Sequence, residues 1–211
     1  MRQLLHGRTD VPLDAWGVRQ AHAVAERLAT EPPLDALLSS PLTRALTTAR
    51  IIGERLGMEP VVVPDLVEID FGALEGASIE RIVDEHPDIA GQMLDTDGLD
   101  VAWPNGESRR GFYDRVLAAF LAILEDHARQ RVTVVAHGGV IGSFVAQVHG
   151  LPPTDPTAFD IANCSLTHLH VTADHTLVHK RNDVLHLEIL GEPGVELDLE
   201  LDLNVEPEGR S

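Results

Sequence analysis

The sequence predicts an α/β domain, a three-layer α/β/α sandwich built on a mainly parallel sheet. Three observations point there. Short, apolar, β-branched runs alternate with stretches whose apolar residues recur at helical spacing. The runs lack a polar face, as strands covered on both sides must. One of them, Val-Thr-Val-Val-Ala at 132–136, passes through His137-Gly138-Gly139 into a helical stretch, and open α/β sheets hold ligands at such strand ends.

The elements follow in order. Pro12-Leu13-Asp14 reads as a turn, after which Val18, Ala21, Ala25 and Leu28 mark one face of a helix. Leu37-Leu38-Ser39 is a short strand. Leu42, Ala45, Leu46, Ala49 and Ile52 form the apolar face of a second helix, ended by Gly57, a residue type suited to the left-handed C-cap. Val61-Val62-Val63 is a strand closed by Pro64. A loop-rich region with a short helix at 79–85 follows. Residues 107–128 form a long amphipathic helix with Phe112, Val116, Phe120, Ile123 and Leu124 on its buried side. The strand at 132–136 leads into His137, and a helix at 140–148 stops at Gly150 and Pro152-Pro153. Residues 166–171, 176–180 and 184–189 read as closing strands. The segment 195–205 alternates apolar and mostly acidic residues without a break, the pattern of a strand with one apolar and one acidic face. It is an edge strand, here or on a partner, or an acidic appendage. The division expected is one domain, 1–190, and an acidic tail, 191–211.

Composition limits the function. The chain has 211 residues, 44% hydrophobic and 24% charged, ordinary for a globular domain large enough to bury a core. No apolar run approaches a membrane span, and the first residues lack a signal-peptide core. The formal net charge of −18 argues against nucleic acid and anionic membranes as partners. Cys164 is the only cysteine, which excludes an intrachain disulfide and a cysteine zinc cluster. His168, His170, His175, His179 and His186 crowd the C-terminal third, but no His-Glu-x-x-His pattern joins them, so no metal and no cofactor are expected. A cytoplasmic location is the default expectation.

Five short motifs carry the chemistry. His137-Gly138-Gly139 puts an imidazole at a strand end, where the next helix offers free N–H groups to an anion. In Ser39-Ser40-Pro41-Leu42-Thr43-Arg44, Pro41 presets a helix start and places Arg44 in the first turn, where its planar guanidinium can grip phosphate oxygens bidentately. The third is Glu68-Ile69-Asp70-Phe71-Gly72-Ala73-Leu74-Glu75-Gly76, a shaped acidic loop. Pro104-Asn105-Gly106-Glu107-Ser108, with Arg115 further along the helix, is the fourth, and Asn163-Cys164-Ser165-Leu166-Thr167 the fifth.

In this order, together with Gly7-Arg8-Thr9-Asp10-Val11-Pro12-Leu13 and His186-Leu187, these motifs resemble the histidine phosphatase superfamily, the phosphoglycerate mutase-like family. The resemblance spans about residues 7–187. It implies a phosphoglycerate mutase-like sandwich and hydrolysis of a small phosphorylated substrate through a phosphohistidine, without a metal. Within it, Arg44 and His137 resemble the groups that hold the phosphoryl oxygens, Glu68 the general acid and base, Glu75 a second acid, and Asn163 and Ser165 supports at the pocket edge. A mutase is less expected, because only residues 77–105 separate the Glu68 motif from Gly106-Glu107-Ser108.

The family's N-terminal Arg-His-Gly signature is missing or degenerate. In one alignment Leu5-His6-Gly7 replaces it, and His6 is the nucleophile. In the other, Gly7 to Leu13 matches a later segment without gaps, and the first strand and the nucleophile are absent. The second needs no internal deletion and is favoured. It implies an unpaired position inside the sheet, for which a misplaced start at Met1 is the simplest account. The alternative function is then a catalytically impaired or truncated relative that keeps an anion pocket. A homodimer, paired through the alternating tail, is a further expectation.

Overall fold

The computed structural model describes residues 4–93, 98–99, 101–153, 155–172 and 175–191. The expected tail strand at 195–205 lies outside them. Helix α1 (Ala15–Ala29) starts at Asp14, whose carboxylate accepts from the Gly17 amide at 2.7 Å and so satisfies one of the donors a helix start leaves free. Strand β1 (Ala36–Ser39) leads to α2 (Thr43–Leu56), which ends on Gly57 at φ 71°, a conformation without penalty only for glycine. Strand β2 (Val61–Val62) precedes two 3₁₀ turns, Pro64–Leu66 and Gly72–Leu74. Helices α3 (Ile79–Glu85) and α4 (Pro87–Met93) come next, then α5 (Arg109–Asp126), capped by the Ser108 hydroxyl. Strand β3 (Val132–Val135) enters α6 (Gly138–His149), followed by α7 (Pro156–Phe159). A hairpin of β4 (Leu166–Val171) and β5 (Thr176–Asp183) and a 3₁₀ helix, Leu185–Leu190, close the order.

The strands β2-β1-β3 form one parallel sheet, and side chains alternate across it into two cores. Leu38 and Val134 join Val116, Phe120, Val140 and Phe144 of α5 and α6. Leu37 and Val135 join Val24, Ala25, Leu28 and Ile52 of α1 and α2. Two apolar clusters on opposite faces of one sheet make the three layers, and each fully buried Leu contributes about 1.5–3 kcal/mol.

The stretch 184–189, expected as a strand, is instead taken up from Leu185 by the 3₁₀ helix Leu185–Leu190. Leu185, Leu187 and Ile189 alternate as in a strand, but the Asp183 carboxylate, held by Lys180 at 2.7 Å, accepts from the Leu185 amide at 3.2 Å and turns the chain. The apolar residues of this helix stay largely outside, with Ile189 79% exposed. Helix α4 lay inside a stretch read as loop. It buries no residue, so no apolar stripe announced it.

The sheet is interrupted beside β3. Val135 O accepts from Ser40 N, and Arg131 O from Asp35 N. Backbone groups of alternate residues point to opposite edges, so Val132 and Val134 turn theirs away from β1. Among the described residues no strand pairs with that edge, and β4 pairs with β5 alone. Leu4 and Leu5 do not enter this position. They pair instead with Ser78 and Ala77.

Candidate active site

The C-terminal ends of β1 and β3 lie side by side, tied by the Ser40 N to Val135 O bond. Each end carries a polar residue. His137 sits at the N-cap of α6, 7% exposed, with its Nε2 2.8 Å from Ser40 Oγ. Burial above all, then the cations of Arg44 and Arg115, lowers its pKa to about 3, so the imidazole is neutral at pH 7. Ser40 is fully buried. Two buried serines ending an apolar strand were the signal for such a partner, since buried hydroxyls require one.

Glu68 is also 7% exposed. Its Oε2 accepts from Gly139 N at 2.8 Å and its Oε1 from Ile69 N at 2.9 Å. Burial raises its pKa, and these two amides, Arg44 and Arg115 oppose the rise without cancelling it. The result is a carboxyl group that holds its proton more tightly than an ordinary glutamate, at the mouth of α6. Gly139 is required for this contact. A Cβ there would lie 2.3 Å from Glu68 Oε1.

Arg44, second residue of α2, donates from Nη2 to Gly7 O at 2.8 Å and from Nη1 to Thr9 O at 3.0 Å. Burial lowers its pKa, and Glu68, first among the nearby carboxylates, opposes that. The loop it holds is clasped from the other side. Glu75 accepts from the amides of Gly7, Arg8, Thr9 and Phe71 and from the Thr9 hydroxyl. Burial works to raise the Glu75 pKa, but these donors prevail and hold it below the usual range. Asp10 caps α2, accepting from the Thr43 amide and hydroxyl, each at 2.7 Å. Glu75 and Asp10 therefore fix the loop that fixes Arg44.

Among the described residues, no side-chain hydrogen bond joins His6, Asn163 or Ser165 to Arg44, Glu68 or His137. His6 is exposed and directly precedes Gly7. Asn163 is exposed in the turn before β4. Ser165 Oγ is buried without a partner. Burial pushes the Cys164 thiol up to about 11, which makes it a poor nucleophile. No group of three or more His, Cys, Asp or Glu side chains among the described residues is placed to hold a metal ion. No helix of the described residues is long and apolar enough to cross a membrane.

A neutral imidazole, a guanidinium and a protonable carboxyl thus meet at the strand ends of a three-layer α/β sandwich. This fold, with these residue types at its strand ends, is that of the phosphoglycerate mutase-like α/β sandwiches. The chain belongs to the histidine phosphatase superfamily (branch 1), whose family model matches residues 1–184. It is 32% identical over 191 residues to a probable phosphoglycerate mutase GpmB of Yersinia enterocolitica, an alignment covering 88% of this chain and 87% of that protein. Among solved structures it is similar to a mycobacterial glucosyl-3-phosphoglycerate phosphatase, with 28% identity, TM-score 0.72 and coverage of 86% and 91% of the two chains. The Entamoeba histolytica phosphoserine phosphatase shares the fold, with 24% identity, TM-score 0.77 and coverage of 87% and 90%.

Proposed function

We propose that the chain hydrolyses small phosphomonoesters through a phosphohistidine. The observation that carries this reading is the buried Glu68 carboxyl, held by Gly139 N at the head of α6 and electrostatically coupled to Arg44. A carboxyl that holds its proton more tightly than an ordinary glutamate can give that proton to a leaving alkoxide and then take one from water.

The steps follow from the residue types. Arg44 and the N–H of neutral His137 stabilise the charge spread over the equatorial oxygens. His6, next to the loop that Arg44 grips, attacks phosphorus, and the P–N bond forms as the P–O bond breaks. Glu68 protonates the departing oxygen. Glu68, now a carboxylate, removes a proton from water, whose oxygen displaces the imidazole and frees phosphate.

A second reading is favoured by one observation, the pairing of Leu4 and Leu5 with Ser78 and Ala77 rather than with β3. In that reading the site binds phosphate through Arg44 and His137 without turnover. Trapping separates the two. Quenching the chain in alkali during turnover of an aryl phosphate should leave a phosphoryl adduct on His6, stable to base and labile to acid. A folded chain that binds phosphate but gives no adduct supports the second reading against the first.

A further inference from the structure

The geometry points to Arg115 as the positioning residue for Glu68, acting through the backbone that carries this carboxyl and itself held by Glu107. Arg115 spends its donors close to home. Nε and Nη2 bind Glu107 Oε1 and Oε2 side-on, at 2.9 and 2.8 Å. Nη1 reaches two carbonyls, Asp65 O at 2.6 Å and Val67 O at 2.9 Å. Those carbonyls flank the fully buried Leu66 and end directly before Glu68. On the far side, Glu107 N donates to Asp70 O at 3.0 Å. The guanidinium of the pair therefore pins two carbonyls just before Glu68, and the main-chain amide of its partner Glu107 pins a third just after it.

This fits a brace better than a phosphate ligand. The guanidinium has five N–H groups, and four hydrogen bonds within the protein engage all three nitrogens. Both partners of the pair are 15% exposed. Burying such a pair gives little net stability over apolar residues of the same size, so stability alone does not account for it. Precision does, because reacting groups must be held to about 0.5 Å and a displacement of about 1 Å costs on the order of 100-fold in rate. The Phe112 ring, 5.2 Å from the guanidinium carbon, limits its swing. A lysine cannot substitute, since a single ammonium cannot chelate Glu107 and reach both carbonyls. The Arg115 charge also acts on Glu68 and His137 directly.

The kinetic arm of the test rests on the hydrolase reading, whereas the first arm does not. In the full chain, hydrogen exchange of the Gly139 amide, which Glu68 covers, should quicken roughly 10-fold or more in Arg115→Met. Amides of α1 and α2 should keep their rates. An unchanged Gly139 rate overturns the proposal whether or not the chain turns over. In the second arm, Arg115→Met should lower kcat on an alkyl phosphate roughly 30-fold, with KM nearly constant and a much smaller loss on p-nitrophenyl phosphate. In a Glu68→Gln background it should cause no further loss. Independent, multiplying losses would mean that Arg115 does not act through Glu68. A chain inert on both substrates counts against the hydrolase reading, and the exchange arm still decides the brace. If Arg115→Met does not fold, Glu107→Gln loosens the same brace at equal volume and is read in the same way.

Discussion

At the scale of single residues, the site works by keeping protons where water would not. His137 titrates near 3 in the folded chain against about 6.5 in an unfolded one. Between those values the unfolded state binds a proton that the folded state refuses, so stability falls as pH falls. The expected contribution is about 1.4 kcal/mol per pH unit across that window. Glu68 has the opposite sign. Its raised pKa means that the folded state keeps a proton the unfolded state releases, and stability falls as pH rises through the folded value. Denaturant unfolding of the parent and His137→Ala from pH 4 to 6.5 isolates the imidazole, because Glu68 is common to both. The parent should show the steeper rise with pH, and parallel curves would mean that His137 takes up its proton normally. For Glu68, replacement by Gln should slow an alkyl phosphate roughly 100-fold and p-nitrophenyl phosphate, with its good leaving group, far less. Equal losses on both substrates would remove Glu68 from the proton transfer.

The candidate residues legible in the sequence were those whose own side-chain types suit phosphate chemistry, namely His137 after β3, Arg44 in the first turn of α2 and Glu68 in the acidic loop. Glu75, Asp10, Glu107 and Arg115 bind backbone atoms from distant segments, and no local pattern encodes which amide or carbonyl they meet. Asn163 was placed by motif order alone, and among the described residues no hydrogen bond joins it to Arg44, Glu68 or His137.

At the scale of elements, most of the fold was written in apolar period. Leu37 and Leu38 face opposite cores, as a strand covered on both sides requires. Where apolar spacing misled, as at 184–189, a single carboxylate set the local geometry. The open edge of β3 makes its own prediction. Amides of Thr133 and Val135 face β1 and should exchange slowly, whereas those of Val132 and Val134 face no strand among the described residues and should exchange much faster. Equal protection along the strand would show that the edge is filled. Gly139→Ala tests the junction of β3 and α6. The added methyl meets the Glu68 carboxyl, so alkyl phosphate hydrolysis should fall with it, although Ala is the better helix former. Normal turnover by this variant would contradict the contact.

At the scale of the whole molecule, a chain of net charge −18 can hold an anion only by local means, through a few converging cations and amides. Mutual repulsion among surface acids weakens the fold at low ionic strength, so Tm should rise between roughly 10 and 200 mM sodium chloride. Inorganic phosphate at constant ionic strength should raise Tm further by mass action, and Arg44→Ala should abolish that second rise. A phosphate response retained by the variant would place the anion elsewhere.

The most direct test of the central claim is hydrolysis of p-nitrophenyl phosphate by the parent, His6→Ala and His137→Ala at mildly acidic pH, with folding of each checked by circular dichroism. The proposed mechanism predicts turnover by the parent and loss of it in both variants. Near-normal turnover by either variant, or none by a folded parent, would contradict it.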